Sequence, residues 1–278
     1  MVKPVELAKG NVSKMLIPRK KDSHKGQNGR VLIVGGSWKY YGSPALVAKA
    51  ALRAGADLAY LLVPEKIAPT VASYSPDFIV WGYAGNSLNA GAFELFEQLA
   101  KKTDALVIGN GLSKEAEALD VAARMTERWK KPLVIDADCI GRVTKAGALY
   151  TPHVVEFKRL ASEPMYESLK ERCGQVAATA KRLGGTVLLK GAVDVISDGK
   201  TIALNRTGNA GMTCGGTGDT LAGICGAFLA AGSRTFEAAC AGAYINGLAG
   251  DLAQKELGYS LMASDIIEKL PQALKTVR

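Results

Sequence analysis

At 278 residues, with 48% apolar side chains and no long polar block, the chain can bury a substantial core as one large α/β domain or two small ones, and it does not read as disordered. Its 35 basic and 26 acidic residues leave a net charge of +9, which favours anionic partners; with aromatics at only 6% and cations spread along the whole chain, a nucleotide fits this charge better than nucleic acid. The cysteines at 139, 173, 214, 225 and 240 are odd in number and show no C-x-x-C spacing, so a reducing compartment with buried thiols is expected rather than a disulfide framework.

The opening Met1-Val-Lys-Pro-Val-Glu-Leu lacks the apolar core of a signal peptide, and no uncharged apolar run reaches the roughly 18 residues of a membrane span. A cytoplasmic protein is therefore expected. Residues 1–29 are polar and basic and read as a short helix and a loop. Arg30-Val-Leu-Ile-Val-Gly35 is a continuous apolar run, as in a strand covered on both faces. A helix is expected over 43–56, with Pro44 in its first turn, where a missing N–H does no harm. Further strands are expected at 58–63, 78–81, 105–108, 133–135 and 187–190, with helices at 90–102, 114–129 and 165–183 between them. This alternation predicts a mainly parallel sheet with helices on both faces. Residues 192–204 break the rhythm as two strands joined around Asp198-Gly199, an antiparallel hairpin expected at the sheet edge. Three helices follow, at about 219–232, 234–257 and 263–276, the last expected to kink at Pro271. No repeat or linker divides the chain, so residues 1–278 are read as one domain.

Ligands of an open parallel sheet gather beyond the carboxyl ends of its strands. Here those ends carry Gly35-Gly-Ser37, Gly109-Asn-Gly111, Asp136-Ala-Asp138, Thr151-Pro-His153 and Lys190-Gly191. Each alone suits an ordinary turn; together they describe a large polar cleft. The chain holds no G-x-x-x-x-G-K-[ST] motif, no G-x-G-x-x-G and no G-x-S-x-G, which argues against a P-loop, a Rossmann dinucleotide site and a serine hydrolase. With two distant histidines and no ligand-spaced cysteines, a zinc site is not expected. Lys190 could hold phosphates at the rim or be a solvated strand-end lysine. His153 could orient a substrate, although a histidine satisfied by backbone is the commoner case. Asp136 and Asp138 could bind magnesium through water, but capping the next helix is the favoured reading.

The densest signal is Thr207-Gly-Asn-Ala-Gly-Met-Thr-Cys-Gly-Gly-Thr-Gly-Asp219, with glycines at 208, 211, 215, 216 and 218 ahead of a helix of mostly small residues. Glycines let the backbone turn its N–H groups inward, and a helix N-terminus adds unpaired N–H groups and a positive dipole end. The junction can hold an anion. Asp219 can cap that helix or take a proton from a substrate hydroxyl; both readings are open.

This set resembles the ADP-dependent (S)-NAD(P)H-hydrate dehydratase family of the ribokinase-like superfamily. The similarity runs from about Lys25 to Pro271 and rests on His24-Lys-Gly, Val31-Leu-Ile-Val-Gly-Gly-Ser37, Ala50-Ala-Leu-Arg-Ala-Gly55, Asp136-Ala-Asp138, Thr151-Pro-His153, Leu189-Lys-Gly191, the loop from Thr207 to Gly223, and Gly247-Leu-Ala-Gly-Asp251. The resemblance implies a three-layer α/β/α fold with a mainly parallel central sheet and an edge hairpin. It also implies a reaction: (6S)-hydrated NADH or NADPH (NADHX or NADPHX) plus ADP gives the restored cofactor, AMP and phosphate. Carried over by residue, Asp219 would be the base, with the backbone of 215–218, including Gly216 and Gly218, as the anion hole. Ser43, Ala45, Gly111, His153 and Asp219 would contact the hydrate. Lys190, Gly191, Ala192, Val193, Asp194, Asn209 and Gly218 would hold the nucleotide. Two departures stand out: the family commonly has Gly-Ala-Pro where this chain has Gly42-Ser-Pro44, and Gly-Pro-Gly where it has Gly109-Asn-Gly111. Mg²⁺ is expected with the ADP, its ligands unassigned, together with a homotetramer and a separate hydrate epimerase. The rival readings are a ribokinase-like kinase of a small vitamin alcohol and a catalytically inactive nucleotide-binding protein.

Overall fold

A computed structural model describes residues 3–164 and 166–278; Met1-Val2 and Met165, where one helix was expected to start, lie outside the described residues. In chain order the elements are β1 (Val5–Glu6), α1 (Lys9–Val12), β2 (Arg30–Val34), α2 (Ser43–Ala54), β3 (Leu58–Pro64), α3 (Ala68–Ser73), β4 (Phe78–Tyr83), α4 (Phe93–Lys102), β5 (Ala105–Ile108), α5 (Ala116–Arg128) and β6 (Leu133–Ile135). They continue with β7 (Leu149–Tyr150), α6 (Val154–Ala161), α7 (Leu169–Leu183), β8 (Thr186–Leu189), β9 (Asp194–Ser197), β10 (Ile202–Asn205), α8 (Thr217–Ala230), α9 (Thr235–Leu257) and α10 (Ala263–Val277).

The ten strands among the described residues form one sheet in the order β1-β10-β9-β8-β7-β6-β5-β2-β3-β4. Only β9 runs against the rest, pairing antiparallel with both β8 and β10. Alternation along β2 shows why its run is apolar throughout. Val31 and Ile33 join a core with α2, α8, α9 and α10, whereas Leu32 and Val34 join a second core with α4, α5, α6 and α7. The expected three-layer α/β/α arrangement is thus present.

The hairpin forms where expected but is not the sheet's edge: Val5–Glu6 adds outside it, parallel to β10. The element is two residues long, too short for any periodic signal. The helix at 154–161 was not expected either. Its first residues follow His153, whose backbone and side chain form a capping box with Glu156. The helix expected from 165 starts at Leu169, where the Ser168 hydroxyl accepts the Glu171 N–H. Helix α10 runs through Pro271 to Val277, held by a buried face of Ile266, Ile267, Leu270, Ala273 and Leu274.

Helices α2 and α8 lie against each other because α8 is built of small residues. A Cβ on Gly223 would stand 2.2 Å from the Val47 carbonyl oxygen, so only glycine permits this approach. The contact brings the first turns of α2 and α8, and with them Ser43 and Asp219, to one end of the sheet.

Candidate active site

Strands β2, β5, β6, β7 and β8 are parallel neighbours, and the sheet order reverses between β2 and β5. Such a reversal opens a crevice at the carboxyl ends. Asn110, Asp136, Thr151 and Lys190 follow β5, β6, β7 and β8 closely. The β5 end closes onto β6 through Gly109: its φ is +118°, and a Cβ there would lie 2.0 Å from the Asp136 carbonyl oxygen.

Asp136 is the hub of this rim. It is 2% exposed, yet both of its oxygens are used. Oδ1 accepts from the Thr151 hydroxyl at 2.8 Å and from Lys190 Nζ at 3.2 Å, and Oδ2 accepts from Asn110 Nδ2 at 2.8 Å. The favoured expectation that Asp136 caps the next helical turn is therefore wrong: its side chain makes no capping bond. The buried position, with three donors around it, draws the carboxylate away from the backbone. Asp138 accepts the Ser113 N–H at 3.2 Å from the neighbouring loop. Nor is Lys190 a solvated strand-end lysine. Its side chain is 21% exposed, and Glu156 Oε2 stands 3.9 Å from the ammonium in addition to Asp136. Burial opposes its charge, but Asp136, Glu156 and Asp219 outweigh burial and raise the ammonium above its ordinary range.

Asp219 lies in the first turn of α8, three residues after the N-cap, Gly216, whose φ is +93°. It is thus not the cap. The Thr217 hydroxyl donates to the Met212 carbonyl at 2.9 Å and ties the glycine loop to this turn. The N–H groups of Thr217, Gly218 and Asp219 lack acceptors within the helix, as in any first turn. They open beside Lys190, since a Cβ on Gly218 would meet Nζ at 3.2 Å. An ammonium and a helix N-terminus thus lie side by side here, both favouring an anion. Asn110 Nδ2 donates to Asp219 Oδ1 at 2.7 Å. Burial raises the Asp219 carboxyl to about 6; Asp136 adds to the rise, while Asn110, the Ser43 hydroxyl and Lys190 oppose it. At neutral pH the group is mostly ionised and basic enough to take a proton.

Of the residues expected to meet the hydrate, Ser43, Gly111 and Asp219 come together. Gly111 (φ +66°) packs against Ser43 and Tyr40, and Ser43, the first residue of α2, lies close enough to Asp219 to oppose the rise in its pKa. Ala45, two residues on in the same turn, is buried. His153 caps α6: Nδ1 accepts the Val155 and Glu156 N–H groups at 3.1 and 3.3 Å, leaving Nε2 beside Glu156 Oε1 at 3.3 Å. Burial and then the Lys190 charge lower its pKa, which keeps the ring neutral at pH 7. Lys190, Gly191, Ala192 and Val193 form the turn from β8 to β9, and Asp194 opens β9. Asp194 accepts from Gly191 N–H and Asn205 Nδ2, both at 2.9 Å, and burial lifts its carboxyl to about 6. Both ends of the Asn209 amide are held within the protein, Oδ1 by the Gly211 N–H at 2.9 Å and Nδ2 by Asp251 at 3.0 Å. Its side chain braces the glycine loop.

Asn110 and Thr151 belong to strand endings already read as part of the cleft but had no role assigned, and Glu156 was not singled out. Asn110 stood inside a noted strand ending, and the His153-x-x-Glu156 spacing was the available signal for a capping box. Their meeting at Lys190 and Asp219 depends on strand order, which no local pattern carries. Among the described residues no cluster of three or more His, Cys, Asp or Glu side chains could hold a metal, and no helix is long and apolar enough to cross a membrane.

A mainly parallel sheet between two helical layers, with a glycine loop feeding a helix N-terminus over the switch point, defines a ribokinase-like α/β/α protein. The chain belongs to the NAD(P)H-hydrate dehydratase family, whose model matches residues 31–272. It is 41% identical to an ADP-dependent (S)-NAD(P)H-hydrate dehydratase of Cenarchaeum symbiosum, over 97% of this chain and 96% of that relative. It is 42% identical to a bifunctional NAD(P)H-hydrate repair enzyme of Pyrobaculum aerophilum, but covers 54% of it; the chain spans about half the length of several curated relatives it matches. An ADP/ATP-dependent NAD(P)H-hydrate dehydratase of Bacillus subtilis, co-crystallised with ATP and Mg²⁺, superposes with a TM-score of 0.83 at 26% identity, covering 99% of both chains.

Proposed function

We propose that the protein is an ADP-dependent dehydratase of (6S)-hydrated NADH and NADPH. The observation that carries this reading is the meeting, at one end of the sheet, of Asp219 with the unpaired first-turn N–H groups of α8 and the Lys190 ammonium. Hydroxide is a poor leaving group near neutral pH; phosphate leaves readily. Asp219 takes the proton of the ring C6 hydroxyl as its oxygen attacks the terminal phosphorus of ADP, and AMP departs. Lys190 and the backbone of Gly215 to Gly218 stabilise the charge that spreads over the transferring phosphoryl oxygens. The ring nitrogen then expels phosphate from C6, and loss of the C5 proton restores the dihydronicotinamide. Ser43 and Gly111 shape the pocket at Asp219 for the hydrated ring, and the turn from Lys190 to Asp194 lies where the nucleotide enters.

Mg²⁺ would enter this reading as part of the nucleotide substrate, neutralising phosphate charge. Both Asp136 oxygens already accept protein donors, so this carboxylate would be available to the ion only through water. A homotetramer in the cytoplasm, working alongside a separate epimerase for the hydrate, completes the proposal; sedimentation of the purified protein tests the tetramer.

The direct test is incubation with hydrated NADH and ADP. Recovery of reduced-nicotinamide absorbance, with AMP and phosphate formed in step, supports the reading. A stable phosphorylated alcohol without absorbance recovery would replace it with a kinase that stops after phosphoryl transfer.

A further inference from the structure

Asn110 occupies the position where the resemblance led us to expect proline, and it is 1% exposed. Its amide nitrogen has two hydrogens, and the structure uses both on carboxylates: Asp136 Oδ2 at 2.8 Å and Asp219 Oδ1 at 2.7 Å. Among the described residues its own Oδ1 is buried without a partner. Rotating the amide by half a turn would repair nothing, because it would set that oxygen against the two carboxylates. The side chain therefore accepts an unpaired buried acceptor in exchange for a double donation, a cost with no return if the residue merely filled space.

We infer that Asn110 is a positioning residue for the catalytic base: its amide clamps one oxygen of Asp219 against the fixed Asp136, leaving Asp219 Oδ2 to receive the substrate proton. The inference rests on the dehydratase reading for the identity of that proton, but the clamp itself does not. Asp136 serves as the anchor because Thr151, just after β7, and Lys190, just after β8, hold its other oxygen. The groups facing Asp219 come from separate elements: Ser43 from α2, Asn110 after β5, Asp136 after β6 and Lys190 after β8. Asn110 is the uncharged donor that lets two carboxylates share a site. No other side chain does this as well there: aspartate would add a third negative charge, leucine or proline would donate nothing, and glutamine is one methylene too long for the same two distances. A hydrogen bond to the ionised form favours it, so the clamp also holds down part of the rise that burial imposes on Asp219.

The test compares wild type with Asn110→Leu, and with Asn110→Ala should the leucine variant not fold. The Asp219 carboxyl is titrated by ¹³C NMR, with its resonance assigned by its loss in Asp219→Asn. The expected result is a titration midpoint about one pH unit higher in the variant, matched by the same displacement of the acid limb of kcat/KM. The value of kcat falls about 10- to 100-fold, and KM for ADP stays within about threefold, because the nucleotide turn is untouched. A midpoint and an acid limb that both stay in place would overturn the clamp, whatever the variant's stability. If instead wild type fails to restore NADH from its hydrate, the dehydratase reading falls, and the NMR titration alone still decides the clamp.

Discussion

Holding Asp219 ionised in a mostly buried position works against the fold, so removing its charge is expected to stabilise the protein while stopping the reaction. The carboxyl is raised by burial from 3.8 to about 6. In the folded state it therefore binds a proton more readily than in the unfolded chain, and the folded state gains stability as pH falls from about 6 to about 4. At pH 7 both states are ionised and the folded state bears the full difference. A rise from 3.8 to about 6 corresponds to about 3 kcal/mol, and partial exposure to water reduces this to about 1–2 kcal/mol. Asp219→Asn keeps an acceptor for Asn110 and sheds the charge, so it recovers this amount at pH 7 and nothing below about pH 4. Urea unfolding of the two proteins between pH 4 and 8 reads the difference directly. The turnover of the variant should fall by about 10²–10⁴-fold, the usual loss for a general base. A variant less stable than wild type at pH 7, with a deficit independent of pH, would refute the burial argument for this carboxylate. Asp194, also raised to about 6, contributes equally to both proteins and cancels in the comparison.

Lys190→Met should act in the opposite direction, because it leaves Asp136 and Glu156 buried without their cation. Loss of one partner of a buried pair typically costs 3–5 kcal/mol, and the partial exposure of Lys190 brings the expected loss to about 2–3 kcal/mol in urea unfolding at pH 7. Gly218→Ala sets a methyl group 3.2 Å from Lys190 Nζ, in the position proposed for the transferred phosphoryl group. The flexible lysine end can move, so unfolding should change by less than about 1 kcal/mol, while KM for ADP rises about tenfold or more. Gly223→Ala has no such escape, since the new methyl would meet the Val47 carbonyl oxygen at 2.2 Å; a loss of about 2–3 kcal/mol is expected from the separation of α2 and α8.

Much of this architecture was readable from periodicity. The apolar runs at 30–34, 105–108 and 133–135 had no polar face to lose and could only be covered strands. The glycine loop marked its own helix start, and the reversal around Asp198-Gly199 marked the hairpin. What escaped had no local signature: β1 is two residues long, and α6 depends on a histidine in a role more often filled by serine or aspartate. The site was legible as a set of strand endings but not as a network. Asp136 looked like a cap because aspartate just before a helical turn is a favoured N-cap. Only the adjacency of β5, β6, β7 and β8 reveals that it gathers Asn110, Thr151 and Lys190 instead. Likewise, Asn110 reads as a turn residue until α8 brings Asp219 to within 2.7 Å of it.

The central claim is that the ring hydroxyl is phosphorylated before it leaves, and the fate of its oxygen tests this most directly. Hydrated NADH carrying ¹⁸O at the C6 hydroxyl is turned over with unlabelled ADP, and the inorganic phosphate is analysed by mass spectrometry. The account predicts one ¹⁸O atom in each phosphate released, in step with the NADH restored. Label recovered in water, with unlabelled phosphate, would mean that ADP is hydrolysed separately and that Asp219 does not direct the hydroxyl onto phosphorus.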